Sequence, residues 1–309
     1  MSFFFCPIGQ LKRIDILLRK SIVKTEGISD IQEAAMKRIT VLTFSPTGTT
    51  RKAAEFIAER ISGKLEIPAL YDDFTLPENR RDKRVFGRKE LLLIGLPVYA
   101  GRLPNKIVPE IGSLIRSSGD TPAIALVTFG NRSLGSALRE LKHILQENGF
   151  CTIAAGAFAA PHAFAEIGSE HPTEEDRRKA ESLVDAAAEY LASGKMLKPV
   201  VIDGDQPPEP YYIPKGEDGR PVNFLKAKPK TDLQRCDRCG ICARVCPMGS
   251  IAAEQPEEVT GICIKCQACI RTCPKQAKYL DDPGFLSHKK MLEKNFRDPA
   301  ESILYLPER

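Results

Sequence analysis

Eight of the ten cysteines fall between Cys236 and Cys273, in two copies of one spacing, C-x2-C-x2-C-x3-C-P. The copies read "CDRCGICARVCP" and "CIKCQACIRTCP". Neither is long enough to bury a core of its own, so a pair of them needs something inorganic at the centre. Three thiolates at such short spacing wrap one corner of an iron–sulfur cubane. The fourth points away, is followed by a proline that helps turn the chain, and reaches the other cubane. The spacing therefore predicts one [4Fe–4S] cluster on Cys236, Cys239, Cys242 and Cys273. A second falls to Cys246, Cys263, Cys266 and Cys269. Small or apolar residues between the ligands, such as Gly240, Ile241, Val245, Ala268 and Ile270, exclude water and let backbone amides approach sulfur. Zinc held by pairs of C-x-x-C is the alternative. It leaves the distant fourth cysteine and both Cys-Pro steps without a purpose.

The other two cysteines, Cys6 and Cys151, stand alone. Dense cysteine in a chain without a secretory signal reads as metal binding in a reducing compartment, so the expected location is the cytoplasm. The opening "MSFFFCPIGQ" has no basic n-region and no small-residue cleavage site. Residues 1–35 are an N-terminal extension. Its end, "QEAA", can be encoded by codons containing AGGAGG just before Met36, so translation starting at Met36 is one expectation. The longest apolar runs, such as "LLLIGLPVYAG", are too short and broken to span a bilayer.

The formal charge of +5 over 309 residues suggests a basic protein. Two oxidised cubanes with their thiolates remove about four units, and a bound phosphate about two more. The excess vanishes, and with it the argument for a nucleic-acid partner. A redox-sensing regulator would also need a DNA-reading element, and no helix-turn-helix pattern stands out.

From Met36 to Lys195 apolar runs alternate with amphipathic ones. The expected strands are "RITVLTF", "LEIPALY", "LLLIGLPV", "AIALVTF" and "CTIAAGAFA". The expected helices are "TRKAAEFIAERI", "NKIVPEIGSLI", "LGSALRELKHILQENG" and "TEEDRRKAESLVDAAAEYLASG", the last with a capping box from Thr173 to Asp176. Near-continuous apolar strands between helices predict an α/β doubly wound five-stranded parallel sheet over residues 36–195, for which the flavodoxin-type order 2-1-3-4-5 is the expected arrangement. Residues 196–235 are rich in Pro, Gly and charge and read as a connector, docked through Tyr211, Tyr212 and Phe224. The cysteine segment, 236–280, is a small α+β domain. The tail, 281–309, holds one helix, "FLSHKKMLEKNF", and an apolar end, "SILYL".

Ligands of a doubly wound sheet bind at the carboxyl ends of its strands. The first strand ends in Ser45, Pro46, Thr47, Gly48, Thr49 and Thr50, just before a helix. Free N–H groups and the helix dipole there, with hydroxyl donors, suit a phosphate dianion. There is no lysine for a P-loop and no G-x-G-x-x-G. Two more loops converge on the same edge, Pro97, Val98, Tyr99 and Gly101, and Thr128, Phe129, Gly130 and Asn131. On these residues the first domain resembles flavodoxins. Over about residues 36–280 the chain resembles the flavodoxin–ferredoxin fusion proteins of anaerobic bacteria, also called ferrodoxins.

The resemblance implies FMN, with its phosphate on Ser45–Thr50, Tyr99 stacked on the ring and the Gly130–Asn131 backbone contacting it. Pro46 and the lack of acidic residues near the ring loops depart from the usual flavodoxin pattern. The expected function is intramolecular electron transfer between two [4Fe–4S] clusters and FMN in anaerobic metabolism, with an external redox protein or small donor or acceptor as partner. The alternative is an FMN-dependent reductase of a quinone, nitro compound or free flavin. No catalytic residue is expected. His162, in "APHAF", reads as a solvated loop histidine, with a place facing the flavin as the sharper option.

Overall fold

A computed structural model describes residues 36–308. The expectations for Cys6 and for residues 1–35 lie outside them.

The first strand, β1 (Arg38–Thr43), is buried from its second residue onward. Helix α1 (Thr49–Leu65) follows, burying Thr50, Ala54, Ile57, Ala58 and Ile61 on one stripe. This is the spacing of an amphipathic helix with one face on a sheet. The expected strand "LEIPALY" begins too early. Leu65 is still helical, Glu66 takes a left-handed cap, and β2 (Ala69–Asp73) starts only after Pro68. Proline has no N–H for a ladder, so the strand forms beyond it.

Two three-residue strands, β3 (Arg84–Phe86) and β5 (Ile115–Ser117), pair parallel as a separate ribbon. Between them lie β4 (Glu90–Pro97) and α2 (Val108–Leu114). Then come β6 (Thr121–Phe129), α3 (Ala137–Glu147), β7 (Phe150–Ala159) and α4 (Glu174–Ala192). The capping box at the start of α4 is formed by Thr173 and Asp176.

The main sheet has the order β10-β7-β6-β4-β1-β2. Its five parallel members keep the 2-1-3-4-5 order of flavodoxin-like sheets. Alternate residues of β4 serve opposite cores. Leu92, Ile94 and Leu96 join α2 and α3 on one face, while Leu91 and Leu93 join α1 and α4 on the other. Both faces are covered, which is why these strands read as unbroken apolar runs.

The sixth strand corrects the five-stranded expectation. It is β10 (Ile303–Tyr305), antiparallel to β7, with Ile303 opposite Ala157 and Tyr305 opposite Ala155. The tail is thus part of the first domain. It arrives there through α7 (Pro283–Asn295), whose Met291 and Leu292 bury against Ala165 and Ile167.

The second domain lies in the excursion between α4 and α7. Lys230–Thr231 (β8) pairs antiparallel with Lys278–Tyr279 (β9), so this domain begins before residue 236. Between them sit two one-turn helices, α5 (Ile241–Arg244) and α6 (Ala268–Arg271). The sequence repeat is also a backbone repeat. Arg238 and Lys265 share a left-handed φ of 57°, and Gly240 and Gln267 follow at 71° and 68°.

The connector is irregular yet attached along its length. Val200 and Ile202 bury in the first domain's core. The Tyr211 hydroxyl donates to the Leu103 carbonyl at 2.8 Å, and the Tyr212 N–H to that of Ala100 at 2.8 Å. The guanidinium groups of Arg102 and Arg132 lie over the two tyrosine rings, at 4.9 and 3.5 Å from the centroids. Phe224 meets Phe285 of α7 edge-on.

Candidate redox sites

Two cavities of the second domain are lined by cysteines. One cavity is lined by Cys236, Cys239, Cys242 and Cys273, another by Cys246, Cys263, Cys266 and Cys269. Each distant fourth cysteine crosses to the other copy's set. The N–H of Ser250 points at Cys246 Sγ (3.3 Å), and that of Ala277 at Cys273 Sγ (3.2 Å), each four residues on. Lys265 N–H does the same for Cys263 at 3.4 Å. Such donors stabilise negative sulfur.

The donor set fits a cluster. Burial pushes the thiols of Cys266 and Cys269 up to about 12, so thiolates there need a cationic centre to offset the lost hydration. The two sites differ in exposure. Cys239 is exposed, whereas Cys266 and Cys269 are buried.

The three loops at the sheet's carboxyl edge also converge. Thr50 Oγ1 meets Thr128 Oγ1 at 2.6 Å, tying the first loop to the third. Val98 N–H donates to the Thr128 carbonyl at 2.8 Å, tying the second to the third. Gly48 has a φ of 82° and caps α1 without a side-chain bond. Ser45 is buried, its Oγ accepting from Arg51 N–H and its N–H donating to Thr75 Oγ1. Among the described residues the N–H groups of Thr47, Thr49 and Thr50 donate to no protein acceptor. The loop thus presents the free donors that a phosphate needs.

A side chain beyond the loop was missed in the sequence. Arg51 Nη2 would stand 3.8 Å from a Cβ on Gly48, so a cation does border the cradle, held by Asp73 at 3.4 Å. Its signal was one basic residue at the start of the helix, too common to single out.

In the second loop Tyr99 and Arg102 exchange backbone hydrogen bonds across a tight turn, with Ala100 and Gly101 at positive φ. Gly101 touches Gly135 backbone to backbone. A Cβ on Gly135 would meet the Gly101 oxygen at 2.3 Å. Burial raises the Tyr99 phenol well above its ordinary value, and Cys266 and Cys263 add to the effect. Ile264 and Met248, from the same tetrad's loops, pack against the core cluster that Val98 borders. Arg80 Nη2 fixes that docking with a 2.6 Å bond to the Pro247 carbonyl.

Two members of the third loop have other duties. The Phe129 side chain is buried in the core. The Asn131 amide donates to the carbonyls of Phe296 and Asp298, both at 3.0 Å, and its oxygen accepts from Ala300 N–H at 2.8 Å. Only the backbone of Asn131 is left for a ring. The tail's demand for these bonds could not be read locally, since it lies more than 160 residues away.

His162 is not the solvated loop residue expected. Its ring stands against Gly130 and edge-to-face with Phe164, and its Nδ1 accepts from the N–H groups of Phe164 and Ala165. Burial pulls its pKa from 6.5 to about 4, helped by His288 and Arg132 and opposed by Glu293.

Residues 228–274 match the family model of the 4Fe-4S dicluster domain. No curated protein sequence matches the chain. Among solved structures, a flavodoxin from the domain Archaea is 15% identical over 50% of this chain and 99% of its own, with a TM-score of 0.36. The Streptococcus pneumonia TIGR4 flavodoxin is 15% identical over 51% and 99%, at 0.36. The rubredoxin oxygen:oxidoreductase of Desulfovibrio gigas is 12% identical over 52% and 38%, at 0.33. The chain joins an α/β domain with a flavodoxin-like strand order to a segment that matches the 4Fe-4S dicluster model. Among the described residues no helix is long and apolar enough to cross a membrane.

Proposed function

We propose that the chain transfers electrons internally between two [4Fe–4S] clusters and FMN, as a low-potential carrier or converter. The observation that carries this is the docking of the inner tetrad's loops on the first domain. Met248 and Ile264 pack against the core cluster that Val98 of the second ring loop borders, and Arg80 donates to the Pro247 carbonyl at 2.6 Å.

FMN would supply an acceptor of one or two electrons where each cubane passes one. The chain's residues do the rest. Ser45–Thr50 hold the phosphate through free N–H groups and hydroxyls, with Arg51 alongside. Pro97–Gly101 and Thr128–Asn131 border the ring, Tyr99 by stacking and Gly130 and Asn131 through backbone. Cys236, Cys239, Cys242 and Cys273 hold the outer cluster, whose exposed Cys239 faces an external redox protein or small donor. Cys246, Cys263, Cys266 and Cys269 hold the inner one. Tyr211 and Tyr212 fasten the connector to the second and third ring loops, which fixes the geometry of the path.

The test is a stopped-flow reduction of the cluster- and FMN-loaded protein by an external one-electron donor. Flavin bleaching that follows cluster reduction should be independent of protein concentration, because both partners share one chain. Tyr211→Ser with Tyr212→Ser should slow it without changing cofactor content. A rate proportional to concentration would mean two independent carriers on one polypeptide.

The second reading, reduction of a small acceptor, is favoured by a cleft between the domains.

A further inference from the structure

Behind the third ring loop the domains leave a cleft of about 690 Å³. Small-molecule sites span roughly 300–1,000 Å³. One wall is His162 and Phe164, the former pressed on Gly130. The opposite wall is Gln267, Ile270 and Leu280, and these three also line the cavity of the inner cysteine tetrad. A single layer of side chains therefore parts the cleft from the inner cluster site, and one histidine parts it from the third loop.

The lining has a definite chemistry. Phe285 continues the aromatic wall, its ring 4.7 Å from that of Phe164. Tyr279 and Leu286 form an apolar rim, 40% and 39% exposed. Three cationic side chains reach the lining. The Lys278 ammonium is turned inward to the Pro256 carbonyl. Lys289 is shared with Glu293 at 2.8 Å. Arg271 is exposed, and among the described residues no carboxylate pairs with it. The one carboxylate of the lining is Glu166.

The geometry points to this cleft as the binding site of a planar aromatic molecule carrying an anionic group, of the quinone-sulfonate class. The rings lie against Phe164, with Phe285 packed behind it, and against Tyr279, and the anion meets Arg271. Binding depends only on these side chains. The role of the ligand as an electron acceptor rests on the electron-transfer reading above.

The experiment is equilibrium dialysis of anthraquinone-2-sulfonate against the full chain with clusters reconstituted and FMN saturating, so that the ring loops are filled. The probe should bind. Arg271→Glu and Leu286→Asp should each weaken binding by about tenfold or more, Arg271→Lys by no more than about threefold, and the uncharged 2-(hydroxymethyl)anthraquinone should bind about tenfold more weakly. No binding, equal binding by both acidic variants and the wild type, or equal binding of the uncharged probe would overturn the assignment. Iron content and the electron paramagnetic resonance spectrum of the same samples report separately on the clusters. An iron-free chain that still binds the probe would sink the electron-transfer reading and leave the cleft standing.

Discussion

A Cβ placed on Gly130 would stand 2.5 Å from Cδ2 of His162 and 3.0 Å from its Cα. The third ring loop and the segment after β7 are thus in contact at a point where only glycine fits. Because the nearer obstacles include backbone, rotating the imidazole away cannot relieve the clash fully. Gly130→Ala should cost roughly 1–3 kcal/mol, as overpacking of a tight contact does. The check is the urea midpoint at unchanged slope. The same substitution in a His162→Ala background should cost less. An unchanged midpoint would show that the segment yields freely.

His162 also sets a pH dependence. Its folded pKa of about 4 lies below the unfolded 6.5. Below 6.5 the unfolded chain takes up a proton that the folded chain refuses, so stability is lost as pH falls toward 4. Between pH 7 and 5 this amounts to about 2 kcal/mol. His162→Asn keeps an acceptor for the Phe164 and Ala165 N–H groups but does not titrate. Its stability should decline less over that range. Parallel curves for the two proteins would assign the proton elsewhere.

The cysteine pairing predicts separable losses. Cys239→Ala should remove the exposed cluster and Cys266→Ala the buried one, each leaving about four iron per chain. Iron analysis and electron paramagnetic resonance read both. An unchanged iron content in either variant would refute the assignment of that cysteine.

Gly48 sits at a φ of 82°, and apart from Arg51 Nη2 at 3.8 Å nothing stands near its missing Cβ. The cost of Gly48→Val therefore comes from the backbone, since a β-branched residue resists the left-handed region. FMN affinity should fall by about tenfold or more, about 1.4 kcal/mol, with iron content unchanged. Fluorescence titration of flavin-free protein measures it. Unaltered affinity would remove this loop from the site.

What the sequence disclosed follows from the range of each signal. The proposed cluster ligands are a local signal, three cysteines within seven residues in each of two copies. The parallel strands are marked by apolar runs and the helices between them by their stripes. β10 was visible only as the apolar end "SILYL", not as a strand. It is three residues long, half-exposed, and finds its partners 146–150 residues upstream. The limits of β2 were blurred by Leu65 and Ile67, which suit a helix end as well as a strand. His162 and Arg51 draw their meaning from Gly130 and Gly48, contacts that only the folded chain brings about. Asn131 looked like a ring contact because its backbone sits in the ring loop, while its side chain answers to the tail.

The antiparallel strand at the sheet's edge has a bearing on how the protein is made. β7 is translated well before the residues that cover its open side, which lie 146–150 positions further along the chain. In the interval the whole cysteine segment must pass through the ribosome, and the nascent first domain carries an unpaired edge, the kind of surface on which chains join one another. The domain that would carry the flavin can close only after the domain that would carry the iron has been delivered. A chain cut short between β9 and β10 therefore forfeits the seal on its first domain, even with every predicted ligand residue in place.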